Sequence, residues 1–242
     1  MVIRLSAFYQ SLAGGQFPVR FLGRLNNSFG YQVANFLYPG FLYIGSLLRL
    51  LGLSFPIAVK FILGGSVACG ALALFGALRT RFRVYESLLG ALSFVFAPYL
   101  LFDMYTRGSV GEVLALGAST LAILSLTRSW VWLFPPAVAL LLISHNIVAL
   151  IVGIALVPII SIHPKRFTMV VSGLLGLGLA AFFWLPALFE KSFVRFDAVS
   201  VSDPFNYFIG YETVGLLGIT TILAIAITMV KVATRFGIAK VQ

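Results

Sequence analysis

Residues 56–78 read PIAVKFILGGSVACGALALFGAL, and Lys60 is the only charge among them. As a helix this stretch is about 34 Å long, enough to cross roughly 30 Å of hydrocarbon. "RTRFR" at 79–83 follows at once and halts the apolar run with three arginines. The rest of the chain repeats the pattern of apolar runs and short charged breaks. Over 242 residues it is 60% hydrophobic and only 10% charged, with a mean hydropathy of +1.04. A soluble globule is excluded, because so little polar surface cannot cover a water-facing exterior. The net charge of +10 is therefore read first as loop charge that orients a membrane protein, and no nucleic-acid partner is expected. Cys69 is the single cysteine, which rules out a disulfide framework and a thiolate metal site. "MVIRLSAFYQ" lacks the apolar core and cleavage site of a secretory signal peptide.

The pattern predicts an all-α, polytopic bundle with spans at 56–78, 84–102, 109–127, 130–144, 147–161, 167–187 and 213–231. "RTRFR", Arg128, "HPKR" at 163–166, Lys231, Arg235 and Lys240 fall on alternate breaks, which makes that side cytoplasmic by the positive-inside rule. Of seven acidic residues only Glu86 joins them; Asp103, Glu112, Glu190, Asp197, Asp203 and Glu212 fall outside, several of them in a long 188–212 loop. A single helix over 130–161 would be about 48 Å long, too long for one span. Two short spans meeting at His145 fit better. "ANFLYPGFLYIGSLLRLLGL" at 34–53 is expected to lie along the outer interface, with Tyr38, Tyr43 and Arg49 at headgroup depth. The chain thus divides into an outer loop (1–33), an interfacial helix (34–54), a membrane bundle (55–231) and a cytoplasmic tail (232–242).

"LFDMYTRGSVGE" at 101–112 concentrates Asp103, Arg107 and Glu112 in one break. The plain reading is a solvated loop with an Asp103–Arg107 pair at helical spacing. The functional reading is a pocket for an anionic substrate, in which Arg107 and the neighbouring Tyr105 bind it and Asp103 and Glu112 act chemically. Glu112 lies inside an apolar run, where an ionised group needs a partner or a wet cavity. His145 in "SHN" is either a hydrogen-bonded turn residue or, beside Asn146, a group that orients a hydroxyl or exchanges a proton. One histidine beside one aspartate is weak ground for a metal. In "RFLGRLNNSFGY" at 20–31, Arg20, Arg24, Asn26 and Asn27 suit either lipid phosphates or a sugar diphosphate. Glu190 and Lys191 follow the interfacial Trp184 and are either anchors or pocket lining. His163 reads as a loop residue. "GLLGLGLA" at 173–180 sits in a span and reads as close helix packing, not as a nucleotide loop.

Four blocks, in order, resemble a known family: "FYQSLAGGQFPVRFLGRLNNSFGYQVANFLYPGFLYIG", "FAPYLLFDMYTRGSVGEVLAL", "LLLISHNIVAL" and "GLGLAAFFWLPALFEK". They are similar to the 6-pyruvoyl-tetrahydropterin-synthase-related polytopic membrane proteins of bacteria and archaea, which are in turn similar to the C-type (GT-C) membrane glycosyltransferases. The resemblance implies a plasma-membrane protein whose site faces outside, with a juxtamembrane helix at 34–53 and Asp103 as a second acidic motif. It also implies a polyprenyl-phosphate-linked sugar as donor, an extracytoplasmic acceptor, and room for a divalent metal. Relatives carry a first span and an acidic loop ahead of the segment matched here and continue beyond the last span, so the chain reads as a shortened member. Gln32 stands where the family has proline. Two other classes remain open: a lipid or glycan transporter, and a non-catalytic scaffold whose polar residues do not converge.

Overall fold

The computed structural model describes residues 1–193. The expected 213–231 span, the loop beyond 193 with Asp197, Asp203 and Glu212, and the 232–242 tail lie outside the described residues. The described part is helical: α1 (Val2–Ala13), α2 (Gly40–Leu50), α3 (Phe55–Leu78), α4 (Val84–Val95), α5 (Pro98–Phe102), a π turn (Asp103–Arg107), α6 (Val110–Thr127), α7 (Phe134–Ser144), α8 (Asn146–Ser161), α9 (Arg166–Leu179) and α10 (Ala181–Phe189).

Among the described residues three helical stretches are long and apolar enough to cross a membrane: Phe55–Leu78, Val84–Arg107 and Val110–Thr127. A fourth exists if α9 and α10, bent by 67°, form one broken span. Six of the seven expected spans fall within the described residues, and those six are reduced to three or four. The apolar runs at 130–144 and 147–161 fail because hydropathy counts residues, whereas crossing needs helix. Pro135 and Pro136 sit at the start of α7, turn residues occupy 131–133, and His145 breaks the chain, leaving helices of 11 and 16 residues. These rise about 17 and 24 Å, short of the hydrocarbon thickness. α2, at 11 residues, reaches about 17 Å and cannot cross either.

α6 is the inner helix. Within its apolar window 72% of residues are buried, against 28% for α3 and 22% for the α4–π stretch. Small residues allow that close packing. A side chain at Gly117 would meet the Ser66 carbonyl oxygen of α3 at 2.7 Å, and one at Gly111 the Ser144 carbonyl oxygen of α7 at 2.6 Å. Hydroxyls in this interior turn back on their own helices: Ser66 donates to Ile62 O, Thr120 to Gly117 O and Ser125 to Ala122 O. These three hydroxyls therefore need no partner from lipid.

The first 33 residues are more than the expected loop. Leu5, Phe8 and Leu12, spaced for one helical face, drive α1, and it packs Leu5 and Phe8 against Phe41 and Leu42 of α2. The Phe8 ring meets Tyr43 edge-on at 4.9 Å, and Tyr9 meets Phe55 at the start of α3 at 5.8 Å. At the opposite end Arg128 donates to Gly76 O at 3.2 Å. His163 Nε2 lies 3.1 Å from Leu126 O and 3.3 Å from Ser129 Oγ, so this residue ties the α8–α9 turn to the end of α6.

The α3–α6 contact gives a direct test. Gly117→Ala should lower the unfolding midpoint in detergent by the equivalent of about 1–3 kcal/mol. Gly153→Ala on α8, with nothing within 4 Å, should be neutral or slightly stabilising.

Candidate functional site

The break between the second and third spans is not a solvated loop. It forms a π turn that ends at Gly108 in the left-handed conformation (φ 60°), and the Ser109 N–H donates to Asp103 O at 3.0 Å. The turn faces the first turn of α6 and keeps Asp103 fully buried (0% exposed). Tyr99, Asp103 and Arg107 recur every four residues and line one face.

Arg107 Nη1 is the hub. It lies 2.7 Å from Asp103 Oδ1 and 3.0 Å from Glu112 Oε2, and 3.4 Å from the Tyr99 hydroxyl. Tyr99 donates in turn to Glu112 Oε1, while Ser109 Oγ donates to Glu112 Oε2 at 3.2 Å. His145 Nε2 stands 3.9 Å from the same Glu112 oxygen, beyond hydrogen-bond range but close enough for attraction. His145 Nδ1 accepts from Val148 N–H at 3.4 Å and so caps α8. In the neutral ring Nε2 therefore carries the proton and points it at Glu112. Tyr38 packs on the His145 ring at 4.8 Å between centroids. Burial first, then the Glu112 charge, raises its phenol above the ordinary range, so Tyr38 stays neutral and able to donate.

Two features mark the cluster as unfinished. Among the described residues every Arg107 contact uses Nη1, its side chain is 45% exposed, and Nη2 and Nε remain for a ligand. Asp103 Oδ2 is buried without a hydrogen-bond partner; among the described residues only Ser46 Oγ shares that condition. Buried carboxylate oxygens are seldom left so.

The candidate residues thus divide. Asp103, Arg107, Glu112 and His145 come together. Tyr105 does not: it lies on the other side of the π turn, largely exposed. Asn146 is the exposed first residue of α8. Asn26 and Asn27 are turn residues with φ of 55° and 53°, a conformation asparagine tolerates. Arg24 is exposed and donates to Ser6 Oγ at 3.2 Å. Glu190 belongs to a second grouping, 3.7 Å from Arg20 and bonded by Asn35 Nδ2, beside a shallow cleft between Tyr43 and Phe182. Lys191 is exposed in the 3-10 turn that follows.

Sequence reading missed Tyr99, Ser109 and Asn35. Two signals were present: the four-residue spacing that links Tyr99 to Asp103, and Ser109-Val-Gly-Glu112, the pattern of a capping box. Here Glu112 turns to Arg107, Tyr99 and the Ser109 hydroxyl instead of to the backbone N–H of its N-cap. A divalent metal does not fit this cluster, because Arg107 already lies between the two carboxylates. Among the described residues no three His, Cys, Asp or Glu are placed to hold one.

Helices of this length and hydropathy, closed at one end by a buried ionic cluster, define a helical membrane protein. Compared with known protein families, curated proteins and solved structures, the chain matches none.

If Arg107 neutralises both carboxylates, Arg107→Ala should cost about 3–5 kcal/mol, because it leaves two buried like charges. Adding Asp103→Asn should restore part of that loss, giving a positive coupling in a double-mutant cycle of thermal unfolding.

Proposed function

We propose that the protein is a glycosyltransferase-like membrane protein. It moves a sugar from a polyprenyl-phosphate donor to a hydroxyl acceptor at the α1–α2 end of the bundle. The carrying observation is the half-exposed Arg107, anchored through Nη1 alone and thus free to grip a phosphate with Nη2 and Nε. The resemblance of four ordered sequence blocks to polytopic relatives of the C-type glycosyltransferases supports the same reading.

In this scheme the acceptor oxygen attacks the anomeric carbon while the bond from that carbon to the phosphate oxygen breaks. The polyprenyl phosphate leaves as an anion, held by Arg107. The proton of the acceptor hydroxyl passes to Asp103 Oδ2, which is unpartnered but buried, so the scheme requires the π turn to open towards the acceptor when the donor engages Arg107. Glu112 positions Arg107, and His145 positions Glu112 while fixing the start of α8. The test is sugar transfer by the full chain in proteoliposomes supplied with radiolabelled polyprenyl-phosphate sugars. Asp103→Asn should lower transfer about 100-fold with donor binding retained. Arg107→Lys, which keeps the charge but loses the fork, should weaken donor binding about tenfold or more. Donor binding indifferent to Arg107 and transfer indifferent to Asp103 would overturn the scheme.

A lipid or glycan transporter is the second reading. It is favoured by the interruption before Pro98 and the 67° bend between α9 and α10, since transporters use broken helices around their substrates. Donor translocation across the vesicle without release of polyprenyl phosphate would select it.

The cluster end is proposed to face out of the cell. In a Cys69→Ser background, a cysteine at Ser192 should react with an impermeant reagent on intact cells. One at Thr80 should react only after lysis.

A further inference from the structure

We infer that the 16–31 loop, with the start of α1, is an anionic-lipid docking surface that sits in the headgroup layer of the membrane holding α3. The loop is a built structure. Leu22 and Tyr31 exchange backbone hydrogen bonds at 2.9 and 3.1 Å, and Gly30 N–H donates to Leu25 O at 3.0 Å. Ser11 Oγ holds Phe21 O at 3.1 Å, and Val19 N–H donates to the Tyr43 hydroxyl at 3.3 Å. Val19 and Leu22 point inward and are buried. On that fixed frame Phe17 (74% exposed), Phe29 (84%) and Tyr31 (50%) point outward. A water-facing loop gains nothing by ordering three aromatics outward, whereas at the bilayer interface rings of this kind are stabilised.

Charge names the partner. No Asp or Glu occurs before Glu86, while Arg4, Arg20, Arg24, Arg49 and Lys60 all precede the RTRFR break at 79–83. Among the described residues Arg20 alone of these pairs with a carboxylate, Glu190. Arg4 lies on α1 and Arg24 in the loop between the exposed rings, and among the described residues Arg24 is tied only to a neutral hydroxyl, Ser6. Cations beside exposed aromatics at the end where α3 enters its span match lipid phosphates. A soluble acidic partner would match the charges but not the rings.

The experiment uses the full chain in nanodiscs with and without phosphatidylglycerol. Nitroxides at Phe17→Cys and Phe29→Cys, each in Cys69→Ser, report access to oxygen and to a water-soluble nickel chelate. Greater access to oxygen than to nickel is expected; free access to nickel in the bilayer would overturn the docking surface. Spin-labelled lipids give the second reading. Arg4→Gln with Arg24→Gln should lower the preference for phosphatidylglycerol over phosphatidylcholine about fivefold per cation, with thermal unfolding unchanged. Arg24→Lys, which keeps the charge, should preserve the preference. An unchanged preference in the double glutamine variant would refute the anionic-lipid assignment.

Discussion

The constraint on which this end of the bundle depends is that two carboxylates share one guanidinium. Asp103 and Glu112 are both buried, and an ionised acid inside an apolar segment costs roughly 2.5–3.5 kcal/mol on insertion scales even when isolated. Side by side they would also repel each other. Arg107 relieves both terms at once, and the π turn is what makes this possible. Its wider winding carries the chain from Asp103 to Gly108 in time for Ser109 to open α6, so that Glu112 arrives at the guanidinium from the other side. The positive end of the α6 dipole adds to the same stabilisation.

From that hub the neighbouring elements are placed in turn. Glu112 attracts His145, His145 caps α8, and Tyr38 packs on its ring ahead of α2. Close backbone approaches hold the same junction. A side chain at Gly40 would meet Ile143 O at 2.9 Å, and one at Gly111 would meet Tyr38 as well as Ser144 O. α2, α6 and the end of α7 therefore meet where neither α2 nor α6 carries a side chain. The cluster is fixed by glycine on its apolar side and by charge on its polar side.

Much of this was legible because membrane segments announce themselves through composition. The spans α3 and α6 fall within one residue of the sequence reading, and the Asp103–Arg107–Glu112 grouping follows from its charge density alone. What failed has a common physical cause. Apolar content says where lipid contact is tolerated, not where a helix is continuous, so the turn at 131–133 and Ala180 interrupt stretches that hydropathy treats as whole, whereas the break at His145 follows from helix length. α1 was overlooked because its buried face is only three or four residues wide and carries Arg4 on the same helix. Asn35 joins Glu190 across more than 150 residues, which no local pattern encodes.

The short hairpin of α7 and α8 has a consequence for the surrounding bilayer. Its two helices are shorter than α3 and the α4–π stretch, so the lipid-facing wall of the protein is uneven in height. Acyl chains next to the hairpin must compress or splay to cover it, and that elastic cost rises with bilayer thickness. Such a protein partitions into thinner regions of a heterogeneous membrane, and the compressed annulus recruits neighbours of similar mismatch without any direct contact between them.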